Sequence, residues 1–134
     1  MPEYFVDTWY LVASLDRFDA HHSRTRRLEP RLKLATLVTH DAVLTEFLAY
    51  FSGHGANPRI QAARAVRESA MRMIVVPGSR DLFLRALSLY ESRPDKEYSL
   101  VDCMSMTLMR ERGITHVLTN DHHFRQEGFT VVNE

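Results

Sequence analysis

The stretch Y-S-L-V-D-C-M-S-M-T-L-M-R-E-R-G-I-T-H-V-L-T-N-D-H-H-F, residues 98–124, decides how the chain is read. Ser99 stands in N-cap position with Asp102 three residues on, which marks a helix start. Seven of the ten residues over 100–109 are apolar, so that helix is covered on most sides. Gly113 supplies the stop, residues 116–119 read as a short buried strand, and Asp121 lies just beyond it. A carboxylate in the first turn of a buried helix either caps that helix or binds a ligand. The acids elsewhere in the chain bear on that choice.

Working outward, residues 4–6 form a short apolar strand ended by Asp7, and residues 9–15 a short helix. Residues 16–33 turn polar and basic, and most of this run reads as an exposed helix. Residues 34–39 give a second strand, followed by a helix that Asp41 caps and that runs to Phe51. Gly53-His54-Gly55 breaks it. A helix opened by Pro58 runs to Arg72, residues 73–76 form a third strand, and residues 81–91 an amphipathic helix. Residues 129–132 supply the last strand. Five short apolar strands alternating with helices predict one α/β domain over residues 1–134 with a mainly parallel five-stranded sheet.

With 134 residues the chain is long enough to bury a core without metal or disulfide staples. Seventeen basic and seventeen acidic residues cancel, so any nucleic-acid contact must come from local clusters rather than a global field. Cys103 is the single cysteine and has no internal disulfide partner, which fits a reducing compartment. No charged-then-apolar leader and no apolar run of spanning length is present, so a cytoplasmic location without membrane contact is expected.

In open α/β sheets, ligands bind beyond the carboxyl ends of the strands. Asp7 follows the first strand and Asp121 the fourth. Glu46 lies about two turns into the helix after the second strand, and Asp102 in the first turn of the helix over 100–112. Parallel strands direct all four toward one edge. Carboxylates gathered there repel one another unless a cation neutralises them, and hard ions such as Mg²⁺ or Mn²⁺ take oxygen ligands. Such an ion can activate water for in-line attack at phosphorus, alone or as one of a pair. Each acid also has a plainer reading. Asp7, Asp102 and Asp121 can all serve as caps. Glu46, set between Val43-Leu44 and Phe47-Leu48, has no capping role available.

The segments F-V-D-T, T-E-F-L-A, Y-S-L-V-D-C and L-T-N-D-H-H-F resemble the four acidic motifs of PIN-domain ribonucleases, closest to the VapC-type toxins. The resemblance runs in order over nearly the whole chain, and its most specific piece surrounds Asp102. It implies a three-layer α/β/α fold and a Mg²⁺- or Mn²⁺-dependent endoribonuclease that acts on RNA. A cognate antitoxin and a homodimer are implied with it. By the same resemblance Asp7, Glu46, Asp102 and Asp121 are the metal-binding acids, and Thr8, Ser99 and Thr119 are the polar positions flanking them. Trp9, Tyr10 and Phe51 are candidate contributors to a dimer face.

Competing readings are weaker. His21-His22 and His122-His123 are adjacent pairs, which point apart on a helix, and no C-x-x-C or H-x-x-x-H spacing favours zinc. The arginines at 24, 26, 27 and 31, and at 59, 64 and 67, either track phosphates or form solvated faces. A receiver-like phosphoacceptor domain requires a strand-end lysine, and neither Lys33 nor Lys96 follows an apolar strand. A non-catalytic binding module whose acids are all caps leaves Glu46 unexplained.

Overall fold

Alternation along the strands sorts their side chains onto two faces, and each face recruits its own helices. The structure, a computed structural model, describes residues 1–132. Its strands are β1 (Glu3–Val6), β2 (Thr36–His40), β3 (Ile74–Val76), β4 (His116–Leu118) and β5 (Thr130–Val131). The helices are α1 (Thr8–Leu15), α2 (His22–Leu32), α3 (Asp41–Phe51), α4 (Ala56–Glu68), α5 (Arg80–Ser92), α6 (Leu100–Arg112) and α7 (His123–Gln126). Phe5, Val38 and Val117 turn to one face and pack on Leu82 and Ala86 of α5 and Cys103, Met106 and Met109 of α6. Tyr4, Val6 and Leu118 turn to the other, against Tyr10 of α1 and Leu28 and Leu32 of α2. Helices α3 and α4 extend that second layer, with Phe47, Phe51 and Ala62 closing on Val12. Both faces are covered, and the fold has the three α/β/α layers expected.

All pairings in the sheet are parallel, in the order β3-β2-β1-β4-β5. The chain steps from β1 out to β2 and β3, then crosses back to β4 on the other side of β1. Successive connections therefore leave β1 and β4 in opposite directions, opening a crevice past their carboxyl ends. That crevice holds the candidate site.

Helix α6 starts and stops as its sequence dictates. Ser99 Oγ accepts from the Asp102 N–H at 3.0 Å and the Ser99 N–H donates to Asp102 Oδ2 at 3.1 Å, a closed capping box. Gly113 ends the helix at φ 70°, the left-handed conformation that glycine adopts without cost. A Cβ added there meets nothing within 4 Å, so the penalty for Gly113→Ala is one of backbone alone. A loss of about 1 kcal/mol is expected, read as a lower midpoint in urea. An unchanged or higher midpoint would contradict this.

Several sequence expectations shift. Asp41 does not cap α3: it is the helix's first residue, and its Oδ2 instead accepts from the Gly78 N–H at 2.9 Å, fastening the turn after β3. The run over 16–33 is not wholly exposed, since a turn precedes α2 and Thr25, Leu28 and Leu32 are buried. The second strand begins at Thr36 rather than Leu34, and the last is only Thr130–Val131. Helix α4 starts at Ala56 and yields to a 3-10 turn, Ser69–Met71, instead of running to Arg72. The segment after Asp121, for which the sequence reading placed no helix, forms the short α7. Tyr10 and Phe51 lie in the core at 7% and 3% exposure, which removes them as a dimer face. No helix among the described residues is long and apolar enough to cross a membrane.

Candidate active site

Asp7 is the innermost acid. Its N–H donates to Leu118 O at 3.2 Å, continuing the β1–β4 pairing one residue past both strands. The Thr39 hydroxyl, from β2, donates to Val6 O at 2.9 Å and fixes the same chain end from the other side. Asp7 occupies the N-cap position of α1 but makes no side-chain cap; its carboxylate turns inward, where Oδ2 accepts from Thr119 Oγ1 at 2.7 Å. The residue is 6% exposed. Burial, reinforced by the fields of Asp102 and Glu46 and opposed by the Thr119 hydrogen bond, raises its carboxyl to about 7.

Thr119 serves two acids at once. While its hydroxyl donates to Asp7, its oxygen accepts from the Asp121 N–H at 3.0 Å, setting the turn that presents Asp121. Asp121 Oδ1 in turn accepts from the His123 N–H at 2.9 Å, so the short α7 is locally capped by the same side chain. Glu46 reaches in from α3 and accepts from Thr8 Oγ1 at 2.5 Å. Burial raises its carboxyl, opposed by Thr8 and reinforced by Asp102 and Asp121. Burial likewise raises Asp102, opposed by the Ser99 N–H and reinforced by Asp121.

The four acids therefore lie within one another's fields, joined by hydroxyls and backbone amides. Thr8 and Ser99 each touch one of them directly, and Thr119 touches two. The capping reading and the clustered reading both hold for Asp102: it completes the box at α6 and still faces the other carboxylates.

Two contributors escaped the sequence. His123 places Nδ1 at 3.3 Å from Asp102 Oδ2 and 3.1 Å from Asp121 Oδ1, with Tyr98 packed against its ring. The ring hydrogen-bonds Asp102 and lies beside Asp121, so His123 stands between the two acids. The D-H-H triplet signals a histidine here, but spacing does not say which ring turns inward. His40, fully buried at the end of β2, has Nε2 2.9 Å from Ser105 Oγ. The Ser105 hydroxyl donates to Val101 O at 3.0 Å, so it must accept from His40. His40 Nδ1 is left without a hydrogen-bond partner, and burial pushes the imidazole down to about 4. The neutral ring thereby ties the first turns of α6, and with them Asp102, to the sheet.

The donor set fits a hard divalent cation. Four carboxylates supply oxygen only, and a carboxyl raised to about 7 gains a favourable ionised form when a cation adjoins it. Among the described residues, the group whose ligand-capable atoms already lie within 4.8 Å of one another is Asp121, His122 and His123; Asp7, Glu46 and Asp102 would have to close on a cation to join it.

An all-parallel sheet of this order, with acids gathered past β1 and β4, defines a PIN-type fold, and the chain belongs to the PIN-domain family, whose profile matches residues 4–129. It is 30% identical over 128 residues, 96% of either chain, to the 23S rRNA-specific endonuclease VapC20 of Mycobacterium tuberculosis. The crystal structure of that protein, described as a sarcin–ricin-loop-cleaving toxin, superposes with a TM-score of 0.88 at 30% identity, covering 98% of this chain and 99% of the other. VapBC2 of Rickettsia felis, bound to a DNA fragment from its promoter, shares the fold at TM-score 0.70 and 15% identity, with 98% of each chain covered.

Proposed function

We propose that this chain is a divalent-metal-dependent endoribonuclease, the toxin of a toxin–antitoxin pair, and that Asp7, Glu46, Asp102 and Asp121 form its metal-binding centre. The reading rests on one observation above all: four acids from four separate elements converge beyond the ends of β1 and β4, joined through Thr8, Thr119 and His123. Caps alone do not require that convergence. The substrate class follows from the VapC20 relative: a structured loop of large-subunit ribosomal RNA.

Bound Mg²⁺ or Mn²⁺ supplies charge neutralisation at the scissile phosphate and a more acidic water. The residues provide the rest. Thr119 fixes Asp7 through Oδ2 with help from the Thr8 backbone, and Thr8 fixes Glu46 by engaging Oε1. His123 is a positioning residue, holding Asp102 and Asp121 at a fixed separation. Buried walls from β1 and β4 keep bulk water from Asp7, which strengthens every charge contact there. A toxin that cuts ribosomal RNA needs a neutralising protein in the same cell, so a cognate antitoxin is part of the proposal. So is a homodimer, for which α5 presents exposed Phe83, Leu84 and Tyr90.

Calorimetry with Mn²⁺ and Mg²⁺ tests the centre. Binding should strengthen between pH 6 and pH 8 and release protons at the lower pH, because the Asp7 carboxyl must ionise. Glu46→Gln should weaken binding by at least about tenfold. Equal affinity in wild type and Glu46→Gln would remove Glu46 from the centre.

A further inference from the structure

The acidic centre alone repels RNA. Four carboxylates face a polyanion, so the strand flanking the cut needs cations close by. The sequence offers two arginine clusters, and the structure separates them by what each side chain already does. Arg26 pairs with Glu29 at 3.5 Å, and Arg31 Nε donates to the Tyr4 hydroxyl at 3.2 Å. Arg59 donates to Ser52 O, while Arg64 lines an apolar groove away from the acids. Arg24 faces elsewhere, and Arg27 lies beside it. They line a cavity of about 550 Å³ between the first turn of α2 and the loop from β4 to α7.

Arg125 of α7 closes the cavity from the opposite side, with His21 and His122 also in its lining. Asp121 forms part of the same wall, so the cavity shares one of its lining residues with the acidic centre. Neither Arg24 nor Arg125 pairs with a carboxylate among the described residues. Arg24 is nonetheless fixed in place: its guanidinium lies 5.2 Å over the Trp9 ring, and Nη2 sits 2.9 Å from His21 Nδ1. Trp9 and His21 pack edge to face at 5.3 Å, making a rigid shelf beneath it. A cation held this way loses little freedom when an anion arrives. The first turn of α2 contains no acidic residue, and just before it Asp19 Oδ1 accepts from the His21 N–H at 2.8 Å.

We propose that this cavity is a phosphate subsite, in which Arg24 and Arg125 grip the RNA backbone beside the phosphate presented to Asp121. The proposal rests on the ribonuclease reading for its substrate class. Guanidinium forks match phosphate oxygens in pairs, and a polar cavity of this kind suits a sugar–phosphate chain better than the apolar side chains of a protein helix. Continuity through Asp121 favours the substrate strand itself over an unrelated anion.

The test is fluorescence anisotropy of a labelled sarcin–ricin stem-loop RNA, in EDTA, over a series of salt concentrations. Arg125→Ala and Arg24→Gln should each lower affinity about tenfold at 0.1 M salt and reduce the salt slope by about one. Arg125→Lys should recover most of the slope. In cleavage with Mg²⁺, the same variants should raise KM while kcat stays within about twofold, since neither touches the acids. Arg125 is exposed on α7, so Arg125→Ala keeps the test valid if Arg24→Gln disturbs Trp9. Wild-type affinity and slope in both variants would overturn the subsite, as would loss of antitoxin binding with RNA binding unchanged. A wild type that cuts no RNA, combined with the predicted fall in slope, would keep the subsite and remove the ribonuclease reading instead.

Discussion

Asp7→Asn is expected to lower RNA cleavage by at least about a hundredfold, a larger loss than removing a ligand's outer partner typically causes, and to leave the metal-free protein more stable at pH 8. The two effects share one cause. Asp7 is 6% exposed, its carboxyl is raised to about 7 by burial, and Asp102 and Glu46 add repulsion. In the unfolded chain the same carboxyl titrates near its usual value of 3.8. The folded state therefore binds the extra proton between these values, and its stability falls as pH rises from about 4 to about 7. Above pH 7 the full penalty remains, on the order of a few kcal/mol. Asparagine keeps an oxygen for the Thr119 hydroxyl and removes the charge. Thermal melts of both proteins in EDTA should thus diverge between pH 5 and pH 8, with the variant higher at pH 8. A variant that melts lower than wild type at pH 8, or cuts RNA at the wild-type rate, would show that Asp7 is structural.

Glu127→Ala should cause the largest loss of stability away from the site. Glu127 lies beyond α7 with its side chain 5% exposed, and receives Arg93 at 2.9 Å, Arg110 at 2.9 Å and the Tyr98 hydroxyl at 2.9 Å. Burial alone raises this carboxyl, but the three donors outweigh it and hold it down at about 2. The node joins the end of α5, the start and end of α6, and the segment after α7. Removing it strands two cations, yet Arg93 and Arg110 are 37% and 45% exposed and recover water. A cost of about 2 kcal/mol is expected, below that of breaking a fully buried pair. The sign with pH is opposite to that of Asp7. With its folded value depressed, Glu127 stabilises fully above its usual 4.5 and progressively less as pH falls toward 2. Urea midpoints at pH 7 and pH 3 should show a smaller gap between variant and wild type at pH 3. An equal gap at both would reassign the loss to packing.

What the sequence conveyed best was whatever depends on local pattern. The helix over 100–112 follows from its capping box and Gly113, and the parallel sheet follows from short apolar runs separated by helices. That Asp7, Glu46, Asp102 and Asp121 face one edge was legible because parallel strands send their following residues to the same side. Less legible was anything decided by side-chain direction. Asp41 reads as a cap, yet Gly78 draws its carboxylate across to the turn after β3. Tyr10 and Phe51 read as surface groups because a short helix between polar runs does not announce which face it buries. His123 and His40 depend on contacts between residues far apart in the chain, with Asp102 and with Ser105. The arginines show the same limit: their clustering is visible, but only the fold separates Arg24, over Trp9, from Arg26, paired to Glu29.

The most direct test of the central claim is cleavage of a sarcin–ricin stem-loop RNA by purified protein, with Mg²⁺ or Mn²⁺, with EDTA, and with Asp102→Asn in place of wild type. Circular dichroism on the variant confirms its fold, since Asp102 also closes the capping box of α6. Defined cleavage that requires the metal and disappears in the folded variant is expected. Cleavage that persists in EDTA, or that folded Asp102→Asn performs at the wild-type rate, would contradict it.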